Sequence, residues 1–122
     1  MKNQSLLESF TCAIDGIKHV IKKERNIKIH LILMILALTL GCFLAFSTIE
    51  FILVILTSAL VIITEIINTA IERVVDLAVD QKIHPLAKLS KDIAAGAVLF
   101  SAMVSVVVAV LLYIPKVVNI LL

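Results

Sequence analysis

Residues 63–76 read ITEIINTAIERVVD, and within them Glu65, Asn68, Glu72 and Asp76 recur at helical spacing. At about 100° per residue the three acids fall within an arc of roughly 40°, with Asn68 about 60° from Glu65. The set extends along about 16 Å of helix axis. The stretch begins inside an apolar run, which puts Glu65 at membrane depth and the other acids closer to water. An ionised carboxylate is expensive in lipid, so Glu65 must face a bundle interior, a cavity or a partner. Spacing alone leaves two roles open: a functional acid, or half of a structural ion pair with a lysine from another helix.

Two further polar clusters sit beside apolar runs. KERNIKIH (23–30) carries Glu24, Arg25 and Asn26, and HPLAKLSKDIAAGAVL (84–99) carries His84, Lys88, Lys91 and Asp92. Acids supply hard oxygen ligands for Mg²⁺, and lysines supply point charges for phosphate. Lys91 and Asp92 fall at the expected start of a helix, where free N–H groups favour an anion. The set suits a Mg-nucleotide bound against a membrane. Glycines occur only at 16, 41 and 96, so neither a P-loop nor a kinase glycine-rich loop can be written.

The elements that must position these residues follow from composition. The chain has 122 residues, 61% of them hydrophobic and 16% charged, with a mean hydropathy of +1.16. A single domain of this length cannot hide that much apolar surface from water, so lipid must solvate much of it. The whole of 1–122 reads as one membrane domain. A net charge of +2, with five Phe, one Tyr and no Trp, argues against nucleic-acid binding. Cys12 and Cys42, with no CxxC or Cys/His cluster, read as free thiols that fill space. The polar N-terminus and recurring apolar runs give no sign of a cleavable signal peptide.

Apolar runs predict transmembrane helices over 29–49, 51–71 and 93–114, the last stopped by Pro115. Nothing alternates as barrel strands would. Lys18, Lys22, Lys23, Arg25 and Lys28 precede the first span, and Arg73, Lys82, Lys88 and Lys91 lie between the second and third. The STIE linker carries no cation. Positive-inside charge bias therefore puts the N-terminus and the 72–92 segment in the cytoplasm and the C-terminus outside. All three polar clusters then meet at the cytoplasmic interface.

Ahead of the spans, Leu7, Phe10, Ile14, Ile17 and Ile21 recur at three and four, and Ser5 with Glu8 fits a capping box. Residues 5–26 therefore read as an amphipathic helix on the cytoplasmic surface, its lysines suited to anionic lipid. A helix packed on another protein is the alternative. Ala97, Ser101, Ser105 and Ala109 form a small-residue stripe that lets helices approach closely. The fold class is thus all-α integral membrane: a surface helix plus three transmembrane helices.

With these residues in view, a family resemblance enters. E-I-I-N-T-A-I-E-R-V-V-D at 65–76, followed by A-K-L-S-K-D-I-A-A-G-A-V-L at 87–99, resembles the signature of the prokaryotic diacylglycerol kinases. These are small membrane lipid kinases unrelated to soluble kinases. The Glu24-Arg25-Asn26…His30 and His84-Pro85-Leu86 segments look like the Gram-positive branch, which phosphorylates undecaprenol. The resemblance covers roughly residues 10–115.

It implies a bacterial cell-membrane homotrimer with active sites shared between neighbouring subunits. It also implies that Glu65 is the catalytic carboxylate, taking the proton from a lipid hydroxyl that attacks the γ-phosphate of ATP. Glu24 and Glu72 would hold Mg²⁺, and Asn68, Asp76, Lys91 and Asp92 would surround the nucleotide. These roles agree with what phosphoryl transfer needs, namely in-line positioning and charge neutralisation. Cys12 and Ile14 depart from the polar or aromatic residues of the diacylglycerol-using branch. A diacylglycerol kinase making phosphatidate is the neighbouring expectation. A proton relay through Glu65 is disfavoured, because no second acid or histidine lies deeper in any span. A purely structural adaptor has no need of so many convergent acids.

Overall fold

The computed structural model describes residues 5–122, so residues 1–4 of the expected single domain lie outside the described residues. The described chain forms α1 (Leu6–Lys23), α2 (Arg25–Phe43), α3 (Thr48–Ala78) and α4 (Pro85–Leu121). Helices α2, α3 and α4 are each long and apolar enough to cross a membrane.

α1 starts where its capping box predicts. The Ser5 hydroxyl accepts from the Glu8 N–H at 3.2 Å, and the Glu8 carboxylate accepts from the Ser5 N–H at 2.9 Å. The helix ends three residues before the expected boundary at 26, because Glu24 adopts extended backbone and turns the chain. α2 therefore begins at Arg25, earlier than the apolar run it carries. α1 buries no residue, and Leu7, Phe10, Ile14 and Ile17 are exposed in the single chain.

The expected span 29–49 runs too far. α2 stops at Phe43, where Ala45 takes positive φ (53°) and the Phe46 N–H returns to the Gly41 carbonyl at 3.0 Å. This 6→1 closure satisfies carbonyls left over at the helix end. Gly41 permits it, since a Cβ there would lie 3.0 Å from one Phe46 ring carbon and 3.1 Å from a Phe51 ring carbon. α3 then opens with a second capping box, in which Glu50 accepts from the Ser47 N–H at 2.6 Å. Hydropathy missed this turn because its residues are mostly apolar, although Ser47 and Glu50 carried the signal.

α3 continues past the expected end at 71, and α4 begins eight residues before the expected 93. At 1.5 Å per residue they extend roughly 46 and 55 Å, well beyond a 30 Å hydrocarbon layer. α4 also runs through Pro115, so the expected stop there is overturned. Proline removes one N–H from the ladder, and membrane helices accommodate that loss. Lys91 and Asp92 consequently sit in the second turn of a helix already under way. The free N–H groups of α4 lie instead near Pro85, where the His84 ring Nδ1 accepts from the Leu86 N–H at 3.1 Å.

α3 is the spine. It packs along α4, with the hydroxyls of Thr64 and Ser101 hydrogen-bonded at 2.9 Å and Ser101 buried. Of the expected small-residue stripe, Ser101 makes that contact, while Ala97 is exposed. At the end remote from α1, Phe46 packs against Phe51 and Tyr113 with ring centroids 5.8 and 4.7 Å away. Tyr113 donates to the Ala37 carbonyl at 2.5 Å, and Lys116 pairs with Glu50 at 3.3 Å.

Among the described residues the buried apolar set is small: Ile27, Phe46, Val54, Val61 and Ala94. Most large apolar side chains face outward, as lipid solvation demands. Cys12 and Cys42 are unpaired, as expected, but both are exposed, so neither fills space within the chain. α1 has no buried face, and Cys42 projects from the last turn of α2.

Candidate active site

Glu65 and Asn68 are buried on α3, at 4% and 8% exposure, and Thr69 beside them is buried as well. The Thr69 hydroxyl donates to the Glu65 backbone carbonyl at 3.0 Å, so it stays in its own helix and leaves the Glu65 side chain alone. Among the described residues no lysine, arginine or histidine forms an ion pair with Glu65. The structural ion pair that sequence left open is therefore not made among the described residues of one chain.

Glu65, Asn68 and Glu72 line one cleft of about 370 Å³, closed by Asn26 and His30 of α2 and by Ala95, Val98 and Leu99 of α4. The Asn68 amide donates to Glu72 at 3.4 Å, a weak bond at the long end of the range. Asn68 Oδ1 is buried with no partner. A buried acceptor left unpaired costs free energy, which a ligand donor or cation would recover.

His30 and Ala102 also line a second cleft of about 230 Å³, which leads away from Glu72 past Met34, Ala37, Val61 and Ser105. The Glu65 cleft therefore adjoins this apolar one through His30 and Ala102. Asn26 and His30 were legible as part of a polar cluster, one helical turn apart at the start of α2. Their approach to Glu65 was not, because it depends on how α2 leans on α3.

The other expected site residues lie close by but apart. Asp76 on α3 pairs with Lys91 on α4. Both border a separate cleft of about 410 Å³ with Lys82, His84 and Lys88. Asp92 points outward and pairs with Lys88 at 2.6 Å. Glu24 is tied to Arg73 of α3 at 3.4 Å, and Arg73 also reaches the His19 ring at 3.1 Å. Neither Arg73 nor His19 was singled out from sequence. An arginine in an acidic helix face has many possible partners, and only the fold at Glu24 selects these.

Among the described residues no group of three or more His, Cys, Asp and Glu is arranged to hold a metal by itself. The donors that are present nevertheless fit Mg²⁺. They are hard oxygens, and the orphaned Asn68 carbonyl lies beside the Glu72 carboxylate. Mg²⁺ commonly takes one or two carboxylates and completes its octahedron with phosphate and water.

Comparison with known proteins identifies the family. The sequence model of the family described as prokaryotic diacylglycerol kinase matches residues 11–113. A Synechocystis protein named diacylglycerol kinase is 40% identical over 117 residues, covering 96% of this chain and 67% of the relative. A Bacillus subtilis protein named undecaprenol kinase is 39% identical over 109 residues, covering 89% of this chain and 88% of the relative. The Escherichia coli K12 diacylglycerol kinase is 38% identical over 74 residues, 61% of this chain and 60% of that protein. On the extent of the family match and on these identities, the chain belongs to the prokaryotic diacylglycerol kinase family.

Proposed function

We propose that the protein is an ATP- and Mg²⁺-dependent lipid kinase that phosphorylates undecaprenol at the cytoplasmic face of the bacterial cell membrane. The observation that carries the proposal is Glu65, buried with no counter-ion among the described residues, in a cleft that adjoins an apolar one through His30 and Ala102. A lipid alcohol has the matching form, a hydroxyl on an apolar tail. Its hydroxyl would reach Glu65 from the bilayer side while the triphosphate approaches from Glu72.

In this reading the Glu65 carboxylate takes the hydroxyl proton as the lipid oxygen bonds to the γ-phosphorus. The bond from that phosphorus to the bridging oxygen breaks, and ADP leaves with its electron pair. Glu72 and Glu24 would hold the metal, and Asn68 fixes the Glu72 carboxylate through its amide. Bound there, Mg²⁺ would offset the negative charge of the phosphates. Asp76, Lys91 and Asp92 belong to the nucleotide side. In one chain they stand outside the Glu65 cleft, which supports a homotrimer whose neighbouring subunit completes each site. The outward-facing apolar surface supports the same assembly.

The cationic 72–92 segment supports a cytoplasmic N-terminus and an outside C-terminus. α1, with its outward apolar residues and its lysines, would lie on the membrane surface. Undecaprenol is favoured by the Glu24-Arg25-Asn26…His30 and His84-Pro85-Leu86 segments. Diacylglycerol is the second reading, supported by the name of the Synechocystis relative. Purified protein given labelled ATP and both lipids in mixed micelles should label undecaprenol in preference. Preferential labelling of diacylglycerol would replace the first reading with the second.

A further inference from the structure

We infer that Arg73 is a phosphate-binding residue of the nucleotide site, parked in the free chain on a carboxylate that the metal later takes. The inference rests on the reading above, in which Glu24 and Glu72 hold Mg²⁺.

Arg73 follows Glu72 directly on α3. Its Nη2 donates to Glu24 Oε1 at 3.4 Å, and its Nη1 lies 3.1 Å from His19 Nε2. The bond to Glu24 is long for a charge-assisted hydrogen bond, which runs nearer 2.7–2.9 Å. It is also wet, the two side chains being 52% and 33% exposed. Exposed pairs of this kind contribute little and exchange readily. The guanidinium, by contrast, has the planar fork that matches phosphate oxygens.

Charge balance calls for a further cation, and the pairing with Glu24 singles out Arg73. Glu65, Glu72 and Glu24 would surround a triphosphate that adds further negative charge, and one divalent cation offsets only part of it. Two lysines expected at the nucleotide site or beside it have acid partners outside the metal set: Lys91 holds Asp76 and Lys88 holds Asp92. Arg73 is the cation whose own partner is a proposed metal ligand. With Glu24 turned to hold the metal, Arg73 would be freed to contact the phosphates. One weak pair is exchanged for two stronger contacts, and no charge is stranded.

The competing role is a brace, with Arg73 merely tying α1 and the α1–α2 corner to α3. A ligand without phosphate separates the two. Full-length protein in detergent micelles is titrated with a non-hydrolysable ATP analogue and Mg²⁺, and in parallel with adenosine. Arg73→Gln should weaken the ATP analogue about tenfold, the low end for a charged hydrogen bond, and leave adenosine unchanged. Arg73→Lys should recover part of the loss. Unchanged binding of the ATP analogue overturns the inference, and so does an equal loss for adenosine, which marks a brace. Glu24→Gln is the separate control. If it leaves the Mg²⁺ requirement unchanged while Arg73→Gln still weakens ATP, the metal role of Glu24 falls and the phosphate contact stands.

Discussion

The Asn68 side-chain amide donates to Glu72 at 3.4 Å while its own carbonyl oxygen remains buried and unpaired in the Glu65 cleft. One side chain thus orients a proposed metal ligand and offers an unused acceptor to whatever enters. Replacing Asn68 by Ala removes both functions. Mg²⁺ titration of kinase activity should shift to higher concentration by roughly tenfold, the scale of a hydrogen bond to a charged group. An unshifted titration would show that Glu72 needs no such support.

Asp76 and Lys91 link α3 to α4 beside the cleft, and both are about one-third exposed. Solvent screening limits such a pair to about 0.2–1 kcal/mol of coupling. A double-mutant cycle of Asp76→Asn and Lys91→Met, read by thermal denaturation, should return a coupling in that range. Their loss should cost nucleotide affinity by a larger factor if, as proposed, each also contacts the nucleotide. If the stability coupling were several kcal/mol with nucleotide binding intact, these residues would be structural.

The far end of the bundle should behave differently. Tyr113 closes on Ala37 at 2.5 Å, and Phe46 sits over Gly41. Tyr113→Phe loses one hydrogen bond, worth about 1 kcal/mol, and Gly41→Ala forces a Cβ into the Phe46 ring for about 1–3 kcal/mol. Both should lower the unfolding midpoint in micelles with turnover at low temperature unchanged. A drop in turnover at full folding would mean that this end communicates with the site.

Helix number, the first capping box and the line of Glu65, Asn68 and Glu72 were legible in the sequence, because hydropathy and helical spacing are local properties. The overlong first span and the expected stop at Pro115 failed. Hydropathy does not report backbone closure: the Phe46 N–H turns back to Gly41 in one case, and α4 carries Pro115 within the helix in the other. The Arg73 bridge to Glu24 and His19 was invisible, since those residues lie 49 and 54 positions away. Lys91 and Asp92 were misplaced at a helix start because the polar residues from His84 onward resemble a loop, although His84-Pro85 is itself a helix-opening signal.

The central claim is that Glu65 is the base for lipid phosphorylation, and the most direct test is Glu65→Gln, which keeps shape and hydrogen-bonding capacity while removing the proton acceptor. Phosphate transfer from labelled ATP to lipid should fall by about 10²–10⁴-fold, the usual contribution of general base catalysis. Binding of an ATP analogue with Mg²⁺ should stay close to that of the parent. Normal transfer by the Glu65→Gln protein would contradict the account.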